Sequence, residues 1–181
     1  MLQAPPGAGK TTRVPLALIG ALGDQVRRDG RIWMIEPRRL AARAAAVRLA
    51  SSLEEPVGQR IGFAVRGEQR RSARTQVEVI TDGLFLRRLQ ADPSLDGVSC
   101  VLFDEFHERR RDADLAFALL REAAPLLRPD LSLMLMSATL DIADLRSRLP
   151  EATVLTSEGR AHPVDTLHQP ARPDEPLPQQ V

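Results

Sequence analysis

Lysine is almost absent from this 181-residue chain, with one, Lys10, against 24 arginines. Tyrosine is missing, and aromatics are limited to five Phe and one Trp. So few π-faces argue against a surface that reads bases by stacking. Cys100 is the only cysteine, which excludes an internal disulfide, and its apolar surroundings predict a small buried thiol without a redox role. No run approaches the eighteen uncharged apolar residues of a membrane span, and the N-terminus lacks a basic region followed by an apolar stretch. A cytoplasmic protein is therefore expected. What remains is ordinary for one globular domain: 43% hydrophobic, 27% charged and a net charge of +1.

The arginines are grouped, at Arg38-Arg39, Arg70-Arg71, Arg87-Arg88 and Arg109-Arg110-Arg111. Such groups can neutralise a phosphate backbone if folding brings them to one face; otherwise they are solvated helix faces. The lone lysine carries a different message. A phosphate-binding loop needs a compact ammonium between phosphate oxygens, which a planar guanidinium does not imitate. With 25 basic positions in the chain, the chance of the single lysine falling there is about one in 25.

That loop is Ala4-Pro5-Pro6-Gly7-Ala8-Gly9-Lys10-Thr11, a P-loop pattern with Ala4 in place of the first glycine. Gly7 and Gly9 let backbone N–H groups curl around phosphates, Lys10 meets the β and γ oxygens, and Thr11 can ligate Mg²⁺. Pro6, Ala8 and Thr12 complete the cradle. Met1-Leu2-Gln3 is short for the strand that normally precedes such a loop, so the chain is expected to begin inside or just after it. Apolar spacing predicts a helix from Lys10 to Leu22 that accommodates Pro15 and stops at Gly23. Further elements are a buried strand from Arg31 to Glu36, an alanine-rich helix from Arg38 to Leu53, and a strand from Val77 to Thr81. Asp82-Gly83 leads into a helix reaching about Ala91, followed by a strand from Val98 to Phe103. A helix from Asp112 to Leu127 places Leu115, Leu119, Leu120 and Ala123 on one side, and Leu131 to Met136 makes a further strand. Strands alternating with helices imply a mostly parallel sheet covered on both faces. Prolines at 163, 170, 173, 176 and 178 mark a tail, so residues 1–158 read as the domain and 159–181 as a linker.

The strand ending at Phe103 delivers two carboxylates to the edge of the sheet where ligands bind in open parallel folds. Asp104 is suited to hold Mg²⁺ through water, and Glu105 to orient and deprotonate a water attacking the γ-phosphate. Asp104-Glu105-Phe106-His107 resembles the signature tetrad of the DEAH-box helicases, with Phe106 in place of the usual alanine. His107, Glu108 and Arg109 continue the pattern, and Phe106 makes it most similar to the bacterial HrpB-type subgroup. The resemblance runs over about residues 2 to 168. It implies the first RecA-like P-loop NTPase domain of an ATP-dependent helicase, acting with ATP and Mg²⁺ on nucleic acid, RNA rather than DNA.

The remaining motifs follow in the family's order. Glu36-Pro37-Arg38-Arg39-Leu40-Ala41-Ala42 resembles motif Ia, which gives Arg38 a contact to the nucleic-acid backbone. Arg48 stands where the family stacks an arginine on the nucleotide base. Gly62-Phe63-Ala64-Val65-Arg66-Gly67-Glu68 resembles the approach to a nucleic-acid-contacting turn, which implicates Arg66. Thr81-Asp82-Gly83 resembles motif Ib, again on the backbone. Ser137-Ala138-Thr139 resembles motif III, which couples hydrolysis to nucleic-acid binding, with His107 as its partner. His162 and His168 match no motif and read as surface residues. The family's second RecA-like domain, which supplies arginines to the transferring phosphoryl group, is not expected in these residues. Without them hydrolysis should fall by about three to five orders of magnitude, and unwinding should be absent. Two other readings are a P-loop kinase or phosphotransferase, stimulated by a small acceptor, and a non-catalytic nucleic-acid-binding fragment whose affinity ignores Lys10.

Overall fold

The computed structural model describes residues 1–21, 30–139 and 142–158, with the side chains of 142–144 left aside. The predicted stop at Gly23, the linker from 159, and His162 and His168 lie outside these residues. Eight strands form one sheet in the order β4-β3-β5-β2-β6-β7-β1-β8. They are β1 (Leu2–Gln3), β2 (Arg31–Glu36), β3 (Ile61–Val65), β4 (Glu68–Arg70), β5 (Val77–Thr81), β6 (Val98–Phe103), β7 (Ser132–Ser137) and β8 (Leu155–Thr156). Every pairing is parallel except β3 with β4. The helices are α1 (Lys10–Ala21), α2 (Arg39–Ser52), α3 (Asp82–Ala91), α4 (Arg111–Leu127) and α5 (Ile142–Arg148). This is the RecA-like architecture expected from the alternation of elements. The short first segment does form a strand, β1, held between β7 and β8.

Successive residues of a strand point to opposite faces, and here both faces are covered. Ile32, Met34, Cys100 and Leu102 pack toward the small buried side of α2, made of Ala42, Ala45, Ala46, Leu49 and Ala50. Burial pushes the Cys100 thiol up to about 12, so it stays a neutral core group. Trp33, Ile35, Val101 and Phe103 face the other way, into a core shared with α3 and α4. Five of the six aromatic residues meet there: Trp33, Phe85, Phe103, Phe106 and Phe117 form successive edge-to-face pairs with centroids 5.3–6.1 Å apart. Phe63 is buried on the opposite face. The aromatics are thus committed to the core.

One expectation needs correction, and one segment was left unassigned. The buried side of α4 consists of Ala116, Leu120 and Ala124, while Leu115 and Leu119 are exposed. Leu120 packs inward between the two alanines and Phe117 of the same helix joins Phe103 and Phe106, while Leu115 and Leu119 are turned out. The segment from Ile61 to Arg70 is a β-hairpin, which the sequence reading did not assign as strands. Gly62 lies inside β3, where a Cβ would meet Arg70 O at 2.6 Å, and the partner strand Glu68–Arg70 is polar because it forms the sheet edge, where charge discourages further pairing.

Candidate functional site

All the motifs lie at the C-terminal ends of parallel strands. The P-loop follows β1, Glu36-Pro37-Arg38 follows β2, Thr81-Asp82-Gly83 follows β5, Asp104-Glu105 follows β6, and Ser137-Ala138-Thr139 ends β7. Since β5, β2, β6, β7 and β1 are neighbours, the parallel register gathers these termini along one rim.

Gly7 and Gly9 have φ of +78° and +88°, the left-handed region that an L side chain disfavours, and this bends the loop into a concave turn. Ala4, at the position of the missing glycine, is not among the positive-φ residues, so a Cβ costs nothing there. Ala4 N–H donates to Ser137 O at 3.1 Å, tying the loop to the end of β7. Lys10 is 6% exposed, and its ammonium donates to Ala4 O at 2.6 Å and Pro5 O at 3.1 Å, spanning the loop it closes. Thr11 Oγ1 donates to Asp104 Oδ2 at 2.5 Å, so hydroxyl and carboxylate share one point in space. Mg²⁺ is commonly held by one or two protein oxygens together with phosphate and water, which this pair fits.

Asp104 is 6% exposed, and its other oxygen accepts from Glu105 N–H at 2.9 Å. Glu105 itself adopts φ 49°, ψ 38°, a left-handed conformation that costs a non-glycine residue about 1–3 kcal/mol. It opens a 3-10 turn, Phe106–Glu108, whose Phe106 is driven into the aromatic core while His107 faces the rim. His107 Nδ1 is hydrogen-bonded to Ser137 Oγ at 2.9 Å and lies 3.3 Å from Glu105 Oε2. Thr139 N–H donates to Ser137 Oγ at 3.2 Å. The tetrad and the Ser-Ala-Thr segment therefore meet as their resemblance implied.

A groove of about 510 Å³ opens beside the loop, lined by Thr11, Thr12, Glu36, Arg38, Arg48, Glu105 and Glu108 among others. Arg48 and Thr12 share this groove, and Arg38 reaches across it to Glu108 at 2.9 Å. Thr81 is buried, and the Asp82 carboxylate is occupied by Arg110 at 2.6 Å and by Gly83 N–H at 2.7 Å. Asp82 thus fixes the start of α3 and the segment after the tetrad to each other. Arg66 stands apart, at the hairpin tip between β3 and β4.

Three participants were not singled out from sequence. Glu36, buried at the end of β2, has its carboxyl pushed up to about 8, chiefly by burial and then by Asp104, to which it hydrogen-bonds, with Glu105 and Glu108 adding repulsion. Glu108 and Arg110 close the ion pairs to Arg38 and Asp82. Charged residues in or directly after a recognised motif were the available signal; the pairings depend on strands far apart in sequence.

The cradle, the paired Thr11 and Asp104, and the strand order define a RecA-like P-loop domain. The chain belongs to the DEAD/DEAH box helicase family, whose model matches residues 1–147. It is 48% identical over 170 residues to the ATP-dependent RNA helicase HrpB of Escherichia coli, covering 94% of this chain and 20% of that protein. It is also 36% identical over 165 residues to the ATP-dependent RNA helicase HrpA homolog of Haemophilus influenzae, covering 91% of this chain and 12% of the relative. The crystal structure of the Escherichia coli DEAH/RHA helicase HrpB superposes with a TM-score of 0.83 at 46% identity, over 97% of this chain and 22% of that one. The chain thus spans about a fifth or less of the length of these relatives. Among the described residues no helix is long and apolar enough to cross a membrane.

Proposed function

We propose that this chain is the ATP-binding RecA-like domain of a cytoplasmic DEAH-box RNA helicase of HrpB type, with residues 1–158 as the domain and 159–181 as the link onward. The contact of Thr11 with Asp104 under a loop closed by Lys10 carries the reading. Pro6 to Thr12 hold the phosphates, with Lys10 exchanging its carbonyl partners for phosphate oxygens, and Arg48 packs on the base. Thr11 and Asp104 would hold Mg²⁺, which would supply charge neutralisation at the phosphates. Glu105 orients the attacking water and accepts its proton, and its left-handed backbone aims the carboxylate over the rim.

Ser137, Ala138 and Thr139 couple this site to nucleic acid, since the Ser137 hydroxyl contacts the same imidazole that faces Glu105. Arg38, Arg66 and the Thr81-Asp82-Gly83 turn contact the RNA backbone, with Asp82 acting by holding the turn. Strand separation and fast hydrolysis need a second RecA-like domain facing this rim, to bring arginines to the transferring group. The HrpB and HrpA names of the relatives support ATP and RNA over the kinase reading.

The test is titration of fluorescent ADP with Mg²⁺ into this chain and its Lys10→Ala variant. Loss of at least about a hundredfold in affinity is expected, corresponding to about 2.7 kcal/mol for a buried charge-assisted phosphate contact. Equal binding by both proteins would mean the phosphate site lies elsewhere.

A further inference from the structure

The Arg109-Arg110-Arg111 group behind the tetrad divides once the chain is folded. Arg109 pairs with Asp114 at 3.1 Å and Arg111 with Asp112 at 3.2 Å, both local to the start of α4. Arg110 instead crosses to Asp82, 28 residues away in the chain, at 2.6 Å. Resting on the RNA reading above, we infer that Arg110 is a positioning residue that carries the state of the nucleotide site from the tetrad to the Thr81-Asp82-Gly83 turn. Arg110 stands at the N-cap of α4, where the helix dipole disfavours a cation. The arginine therefore answers the Asp82 carboxylate, whose side chain is only 9% exposed, rather than the helix it precedes.

The path from the catalytic carboxylates to Asp82 is short. Glu105 and Arg109, both left-handed with φ of 49° and 48°, bracket the 3-10 turn Phe106–Glu108, and Arg110 follows at once. The segment is pinned at its front by Phe106 in the aromatic core and by His107 on Ser137, and at its back by Arg110 on Asp82. Asp82 also accepts from Gly83 N–H at 2.7 Å, so the carboxylate that holds Arg110 is the one that shapes the turn. The turn is gripped a second time, because a Cβ on Gly83 would meet Asp112 Oδ2 at 3.1 Å. A narrow cavity lined by Asp82, Asp104, Glu105 and Arg110 joins the two sites and leaves Arg110 room to shift when Glu105 does. Ser137 and Arg110 thus hold opposite ends of one segment, and coupling needs both.

The experiment measures fluorescent ADP affinity with Mg²⁺, with and without saturating single-stranded RNA, in the wild-type chain, Arg110→Gln and Arg110→Lys, together with RNA affinity across a salt series. The ratio of the two ADP affinities is read within each protein, so a uniform loss of binding cancels. The expected ratio is about five in the wild type, about one in Arg110→Gln and at least about three in Arg110→Lys, which keeps a cation facing Asp82. The salt slope of RNA binding should be the same in all three, because Arg110 acts through Asp82 and touches no phosphate. A ratio near that of the wild type in Arg110→Gln overturns the inference and leaves the helicase reading standing. So does a slope shallower by about 0.7, which would make Arg110 itself a phosphate contact. Equal loss of the ratio in Arg110→Gln and Arg110→Lys also overturns it, by assigning the effect to packing rather than to the ion pair. No response of ADP affinity to RNA in the wild-type chain defeats the helicase reading and the inference together.

Discussion

The nucleotide site and the β4 edge of the sheet both present positive charge, and they do so by opposite means. At the nucleotide site, after β1, one buried lysine spans a loop whose glycines and backbone N–H groups do most of the shaping. At the β4 side two arginines, Arg71 and Arg88, hold one fully buried glutamate, Glu78. A site built by burial tolerates few residue types, so it reads as a motif. An edge built by charge can be assembled from many sequences, so it reads as scattered arginines until the fold collects them.

The sharpest way to break that contrast is to compare stabilities. Phe106→Ala, which empties the packing between Phe103 and Phe117, should cost about 3 kcal/mol in urea unfolding, whereas Arg66→Gln at the exposed edge should stay within about 0.5 kcal/mol. Comparable losses would mean the edge is as tightly built as the core beneath the nucleotide site.

A smaller effect concerns Glu36. Its carboxyl, held up to about 8 in the folded protein against an ordinary value near 4.5, keeps a proton that the unfolded chain releases. The folded state binds more protons across that interval, so stability should fall as pH rises from 4.5 toward 8. Glu36→Gln should flatten this decline in urea titrations free of divalent cations. An unaltered slope would show that burial beside Asp104 does not control the proton.

The sequence made the centre legible for physical reasons. Fully buried parallel strands such as Ile32 to Ile35 and Val98 to Phe103 must be continuously apolar, and phosphate loops need glycine at positive φ. The β3–β4 hairpin was not legible, because Gly62 and the polar edge strand obscure any period. The orientation of α4 was only partly legible: Leu120 does face the core, but Ala116, Phe117 and Ala124 complete that face, and Leu115 and Leu119 lie outside it. Side-chain pairings such as Arg110 with Asp82 join residues 28 apart along the chain and exist only once β5 and β6 are placed. The Ser137–His107 contact was anticipated through the family resemblance, and at 2.9 Å it joins the neighbouring ends of β6 and β7, which is the link proposed to couple the nucleotide site to RNA.

That communication is the central claim, and it is tested most directly by measuring fluorescent ADP affinity with Mg²⁺ in the absence and presence of saturating single-stranded RNA, in the wild-type chain and in Ser137→Ala. Coupled sites require reciprocal linkage, and RNA is expected to tighten ADP by about fivefold in the wild type and not in Ser137→Ala. Equal ADP affinity with and without RNA in the wild type would contradict the account.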